Sequence, residues 1–235
     1  MSIRVRSLVE AGPVLLLDLG DGENRFTPDT IAAIHRLLDR VCAAPSPKAL
    51  VTRAHGKFFS NGLDLGWMTA RPGRREPLLR ALQDLLARLL ELPVPTVAAV
   101  QGHAFGAGAM LALAHDSTVM RAGRGFWCLP EVPLGMSFTT GMTELLRVKL
   151  PVRTAHAAIT TGRRYDGLEA VAAGIADTAQ STEELVLDCA TELADMLAGT
   201  AHPALGSSRA RLYDRAITAL RTDALSTHSR TEETT

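Results

Sequence analysis

Most of the usual handles on function are missing from this 235-residue chain. It has no charge of one sign to spare. Its 25 basic side chains balance 25 acidic ones, so no net field draws it to nucleic acid or to an anionic membrane, and neither is expected as a partner. Any anion it binds must be held locally. Cysteine is scarce: Cys42, Cys128 and Cys189 are odd in number and far apart. That argues against a disulfide framework and a zinc knuckle and suits a reducing compartment. No apolar run approaches the ~20 residues of a membrane-spanning helix. The opening MSIRVRSLVEAGPVLLLDLG lacks the long apolar stretch and small-residue cleavage site of a secretory signal, and Glu232 to Thr235 carry no peroxisomal or retention address. The cytoplasm is therefore the expected compartment. His35, His55, His103, His115, His156, His202 and His228 show neither HxxxH nor HExxH spacing, so no metal is expected. There is no GxSxG nucleophile elbow, and the glycine run from Gly102 to Gly108 fits neither GxxxxGK[ST] nor GxGxxG.

What is present is apolar and alternating. With 46% hydrophobic residues, the chain can fill one sizeable core, or one domain plus a helical appendage. Ile3 to Leu8 and Pro13 to Leu19 read as two strands joined at Ala11 and Gly12, and the unbroken Val14-Leu15-Leu16-Leu17 suggests a strand covered on both faces. Ile31, Ile34, Leu37, Leu38 and Val41 recur at helical spacing behind a cap at Thr27 or Asp29. Lys48 to Arg53 and Thr96 to Val100 are further buried strands, and Pro77 to Leu92 is a strongly amphipathic helix. Ser117 to Met120 reads as another short strand. From Ser181 the pattern turns helical, with Leu185, Cys189, Leu193, Met196 and Leu197 assigned to one face. Strand, strand, helix, strand is α/β wiring. The expected organisation is a core over 1–180, helices over 181–221 and a disordered tail over 222–235.

Two strands run into glycine-containing turns, one at Ser60-Asn61-Gly62 followed by Leu63 and Asp64, the other at Gly102, Gly106 and Gly108 before the helical run Ala109 to Ala114. In α/β folds ligands sit at the carboxyl ends of strands, and glycines before a helix let its N-terminus approach a ligand closely. Glu131 follows Phe126, Trp127, Cys128, Leu129 and Pro130. A carboxylate on so apolar an approach is poorly hydrated and is a candidate base.

FFSNGLDL at 58–65, PVPTVAAVQGHAFGAG at 93–108, GFWCLPEVPLG at 125–135 and TGRRYDGLEAVAAGIAD at 161–177 stand in an order and at separations that resemble the crotonase superfamily of enoyl-CoA hydratases and isomerases. The resemblance covers nearly the whole chain. It implies a crotonase-like spiral of β-β-α repeats with a C-terminal helical trimerisation region, an acyl-CoA substrate, no further cofactor, and a homotrimer or hexamer. On matching positions it makes Glu131 the catalytic acid/base, and the backbone N–H groups of Asn61 and Ala107 an oxyanion hole. Ser60, Gly62, Leu63, Asp64, Gly106, Gly108 and Lys57 would border the substrate. Lys57, Arg25, Arg209 and Arg211 are candidates for the CoA phosphates. Hydratases of the family carry a second glutamate on the helix after the glycine turn, where this chain has Met110. One carboxylate suffices to move a proton from C2 to C4 of a 3-enoyl thioester, so the expectation is a Δ3,Δ2-enoyl-CoA isomerase of fatty-acid oxidation. The alternatives are a hydratase, decarboxylase or thioester hydrolase on the same scaffold, or a non-catalytic acyl-CoA binder.

Overall fold

A computed structural model of the protein describes residues 7–222. Residues 1–6, part of the expected first strand, and 223–235, most of the expected tail, lie outside the described residues. The chain opens with an antiparallel hairpin of β1 (Ser7–Ala11) and β2 (Val14–Asp18). Helix α1 (Pro28–Ala43) starts at Thr27, whose hydroxyl accepts from the Thr30 N–H while Thr30 returns the bond, and Pro28 supplies a first-turn residue with no N–H to satisfy.

Three turns of the spiral follow. The first is β3 (Ala49–Arg53), β4 (Phe58–Ser60), the short α2 (Leu65–Thr69) and α3 (Arg75–Leu90). The second is β5 (Thr96–Val100), β6 (His103–Phe105) and α4 (Ala107–Ala114). The third is β7 (Ser117–Arg121), β8 (Trp127–Cys128) and α5 (Thr140–Lys149). Each turn gives one strand to a six-stranded sheet, order β1-β2-β3-β5-β7-β9, and one to a three-stranded sheet, order β4-β6-β8. All pairings between these strands after the hairpin are parallel. Where the chain crosses between the sheets the turns stack backbone on backbone. A Cβ on Gly102 would lie 2.4 Å from the Lys57 carbonyl oxygen, and one on Gly125 2.7 Å from the Gly102 carbonyl carbon, so only glycine fits at either crossing.

Helices α6 (Val152–Thr161) and α7 (Gly167–Ala172) lead to β9 (Thr178–Gln180), and then to α8 (Glu183–Leu197), α9 (Pro203–Leu212) and α10 (Asp214–Thr222). The main core fills the space between the sheets and α1, α3, α4, α5 and α10. A second cluster joins Val14, Leu16, Val51, Val97 and Val119, on the other face of the large sheet, to Val186, Ala190 and Ala194 of α8. The strands are thus covered on both sides, as their unbroken apolar runs require. The buried stripe of α8 differs from expectation. Its centre is Val186, Ala190 and Ala194; of the expected face Cys189 and Leu193 pack at its edge, while Leu185 and Met196 are exposed.

Candidate active site

Helix α4 begins at a glycine held in a conformation that side chains do not adopt: Gly106 has φ +53° and ψ −119°. Its N–H donates to the Cys128 carbonyl at 3.0 Å, fixing the helix start against β8. The next N–H, that of Ala107, has no acceptor among the described residues. As a first-turn donor it carries the positive end of the helix dipole. Opposite stands the turn after β4. Phe26 N–H donates to the Gly62 carbonyl at 2.8 Å, and Asp64 N–H to the Phe26 carbonyl at 3.1 Å. This bridge turns the intervening Leu63 N–H away from Phe26, toward α4. Gly62 lies so close that a Cβ there would be 3.2 Å from the Ala107 nitrogen.

The two free donors are therefore Leu63 and Ala107, which corrects the expectation for Asn61. The Asn61 N–H donates to the Glu23 carbonyl at 2.8 Å, and its side-chain amide to the Glu23 carboxylate at 3.1 Å, so both are occupied.

Beside these donors lies Glu131, at the head of a 3₁₀ turn over Val132–Leu134. Its Oε1 packs on Gly106, where a Cβ would approach within 3.1 Å. Its Oε2 is buried and accepts no hydrogen bond. Loss of hydration disfavours the anion and pushes the carboxyl up from 4.5 to about 7. The apolar surroundings are only partly those read from the sequence: Cys128 and Pro130 line the cavity with Glu131, and Phe126, Trp127 and Leu129 do not. Trp127 is buried in the core with its indole N–H on the Ala109 carbonyl, and Phe126 stacks on His103. A cavity of about 320 Å³ contains Glu131, Gly62, Leu63, Gly106 and Ala107, and its apolar walls come from Leu79, Met136 and Met142 among others.

Glu131 is the one carboxylate among the described residues lining this cavity. Met110 is wholly buried in the core, and Glu144 pairs with Arg147 on α5. Arg25, Arg75 and Arg164 stand at the cavity's border. Arg25 is also paired with Glu23 at 2.8 Å.

The remaining expected contacts divide. Gly62, Leu63 and Gly106 line the cavity. Ser60 and Asp64 do not; they brace the turn instead. The Ser60 hydroxyl donates to the Asn24 carbonyl at 2.8 Å, and Asp64 caps α2 by accepting from the Trp67 N–H at 2.9 Å. Gly108 lets α4 pass the Ser60 carbonyl, 2.4 Å from where a Cβ would sit. Lys57 lies over the Phe58 ring, outside the cavity lining. Arg209 is excluded as a phosphate ligand: it is buried, paired with Asp116 and bonded to the Leu92 and Val94 carbonyls. Arg211 is exposed on α9 and is not part of the lining. Arg75, Arg164, Leu79, Met136 and Met142 were missed in the sequence. Only the basic character of ARPGRRE and TGRRYDG hinted at the two arginines.

Two converging N–H donors can stabilise an oxyanion, and a desolvated carboxylate alongside can carry a proton to and from carbon. Residues 13–233 match the family model described as enoyl-CoA hydratase/isomerase. Enoyl-CoA delta isomerase 2, peroxisomal, of Arabidopsis thaliana is 40% identical over 202 residues, spanning 82% of this chain and 84% of that protein. The apo structure of an enoyl-CoA isomerase from Mycobacterium tuberculosis aligns with a TM-score of 0.83 at 29% identity, covering 92% of this chain and 93% of that one. Human mitochondrial Δ3-Δ2-enoyl-CoA isomerase aligns with a TM-score of 0.79 at 23% identity over 88% of this chain and 82% of that one, a likeness of fold alone.

Proposed function

The chain belongs to the enoyl-CoA hydratase/isomerase family, and we propose that within it this protein is a Δ3,Δ2-enoyl-CoA isomerase working through one carboxylate. The observation that carries this reading is the pairing of a single cavity carboxylate, Glu131, with a buried Met110 where a second acid would stand. The thioester carbonyl oxygen sits between the Leu63 and Ala107 N–H groups. Glu131 takes a proton from C2, and the electron pair of that C–H bond spreads through C1 onto the oxygen as a dienolate. The two donors stabilise the charge, each by about 10²–10³ in rate. The pair returns through C2=C3, and the former C3=C4 π bond takes the proton at C4, which regenerates the carboxylate.

A base near pH 7 suits both halves of the step. It is anionic often enough to accept the proton and weak enough as a base to give it back. Hydration has a different need, a water held and polarised between two groups, and the second group is missing. Arg25, Arg75 and Arg164 supply the cationic border that the phosphates of a CoA thioester require.

Three unpaired cysteines favour the cytoplasm as compartment, although the Arabidopsis relative's name places that protein in the peroxisome. The family resemblance is what favours a homotrimer or hexamer. The test is to offer the purified protein 3-enoyl-CoA, 2-enoyl-CoA and malonyl-type thioesters. Conversion of the first to 2-enoyl-CoA, absent in Glu131→Gln, is expected. Hydration, decarboxylation or hydrolysis as the main reaction, or binding without turnover, would replace the reading.

A further inference from the structure

The cavity has a closed end and an open one. Met68, Leu79, Thr139 and Met142 are each under a tenth exposed, whereas Leu134, Arg25, Arg75 and Arg164 reach solvent at the other end. Helix α3 runs along the cavity, since Arg75, Leu79 and Gln83 are four residues apart and share one face, each about 6 Å below the last. At the third level the floor is pinned. The Thr139 hydroxyl donates to Gln83 Oε1 at 2.7 Å and accepts from the Met142 N–H at 3.1 Å, so its one donor is taken and its rotamer is fixed between α3 and α5. The first turn of α5 has no room to retreat, because a Cβ on Gly141 would lie 2.6 Å from the Leu220 Cα of α10.

Resting on the acyl-CoA reading above, we propose that this floor is a chain-length ruler, with Leu79 and Met142 as its stops, and that it limits the acyl chain to about eight carbons. Allowing each non-hydrogen atom the ~30 Å³ that a water molecule takes in the liquid, the cavity of about 320 Å³ holds about ten. The sulfur, carbonyl carbon and oxygen of a thioester use three. About seven carbons beyond C1 remain, which defines a medium-chain substrate. A longer tail has nowhere to go without displacing the pinned end of α5.

Saturated acyl-CoAs from butyryl to palmitoyl, titrated into the intact protein by calorimetry, test this independently of catalysis. The dissociation constant of the wild type should fall about fourfold per methylene up to the octanoyl thioester and then level off or rise. In Met142→Ala, which deletes three non-hydrogen atoms at the floor, the break should move about three carbons longer. In Leu79→Phe, which adds three, it should move about three shorter. Thermal unfolding checks that each variant is folded. Affinity that keeps improving to palmitoyl-CoA in the wild type overturns the proposal even if neither variant folds. So does a break at the same length in all folded variants, or failure to bind any acyl-CoA. A break at eight carbons without isomerisation of any 3-enoyl-CoA would leave the ruler standing and remove the isomerase reading.

Discussion

Glu131→Gln separates the catalytic value of the half-buried carboxylate from its cost. Its carboxyl is raised from 4.5 to about 7 by burial, and its Oε2 has no hydrogen bond to offset the lost hydration. Between those two pH values the folded protein holds a proton that the unfolded chain has released. Stability therefore falls as pH rises through the window, and above pH 7 the fold carries the full cost of a partly desolvated anion. About 2.5 pH units at 1.36 kcal/mol each set an upper bound of about 3 kcal/mol. Glutamine keeps the shape and removes the charge. The variant should match the wild type near pH 4.5 and exceed it at pH 8 by up to about 3 kcal/mol, a rise of roughly 6–12 °C in Tm for a chain of this size. Isomerase activity should fall by about 10²–10⁴ or more in the same protein. Thermal unfolding of both proteins from pH 4.5 to 8, with activity assayed alongside, checks both effects. A stability difference independent of pH, or a variant less stable than the wild type at pH 8, would refute the desolvation argument.

Other substitutions probe the frame around the site. Gly106→Ala forces a Cβ into φ +53° and to 3.1 Å from the Glu131 carboxylate; a cost of about 1–3 kcal/mol in unfolding and a drop in kcat of at least about tenfold are expected. His115 is buried between the Leu111 carbonyl (2.8 Å) and the Thr52 hydroxyl (2.7 Å), and its desolvated imidazole is held down at about 4. A depressed histidine contributes stability above its unfolded value of 6.5 that is lost as pH falls toward 4, up to about 3 kcal/mol. His115→Gln should flatten the acid side of the Tm profile between those limits. Arg209→Met strips the partner from Asp116 and from two carbonyls. It should cost about 3–5 kcal/mol in denaturant unfolding while leaving KM for the CoA thioester unchanged, because Arg209 braces the fold and meets no substrate.

Most of the large sheet was legible because β2, β3 and β5 are largely apolar runs, and Thr96–Val100 was read to the residue; β9, three residues with no buried side chain, was not. The small sheet was not. Its strands have two or three residues, too short for a period, and they exist only because successive turns of the spiral stack them. Helix α8 misled through size, since Leu185 and Met196 carry more apolar surface than Ala190 and Ala194 yet face outward. At the site, Glu131 stood out as an acid in an apolar stretch, and Ala107 as the first residue behind a glycine turn. Leu63 did not stand out, because which peptide of a turn points into a cavity depends on its pairing with Phe26, 37 residues earlier. Met136 and Met142 were invisible for a similar reason: a methionine in a helix or loop reads as core until the fold shows what it faces.

The central claim is that one carboxylate carries the same proton from C2 to C4. With the carboxylate partly desolvated in the cavity wall and a bound acyl chain displacing water from the cavity, transfer should outrun exchange. The direct measurement is the first-turnover isomerisation, in ordinary water, of a 3-enoyl-CoA deuterated at C2, with the product analysed by NMR. Deuterium at C4 of the 2-enoyl product is the expected result. A product with only solvent hydrogen at C4, formed at an undiminished rate by Glu131→Gln, would mean that another group supplies the proton and would contradict the account.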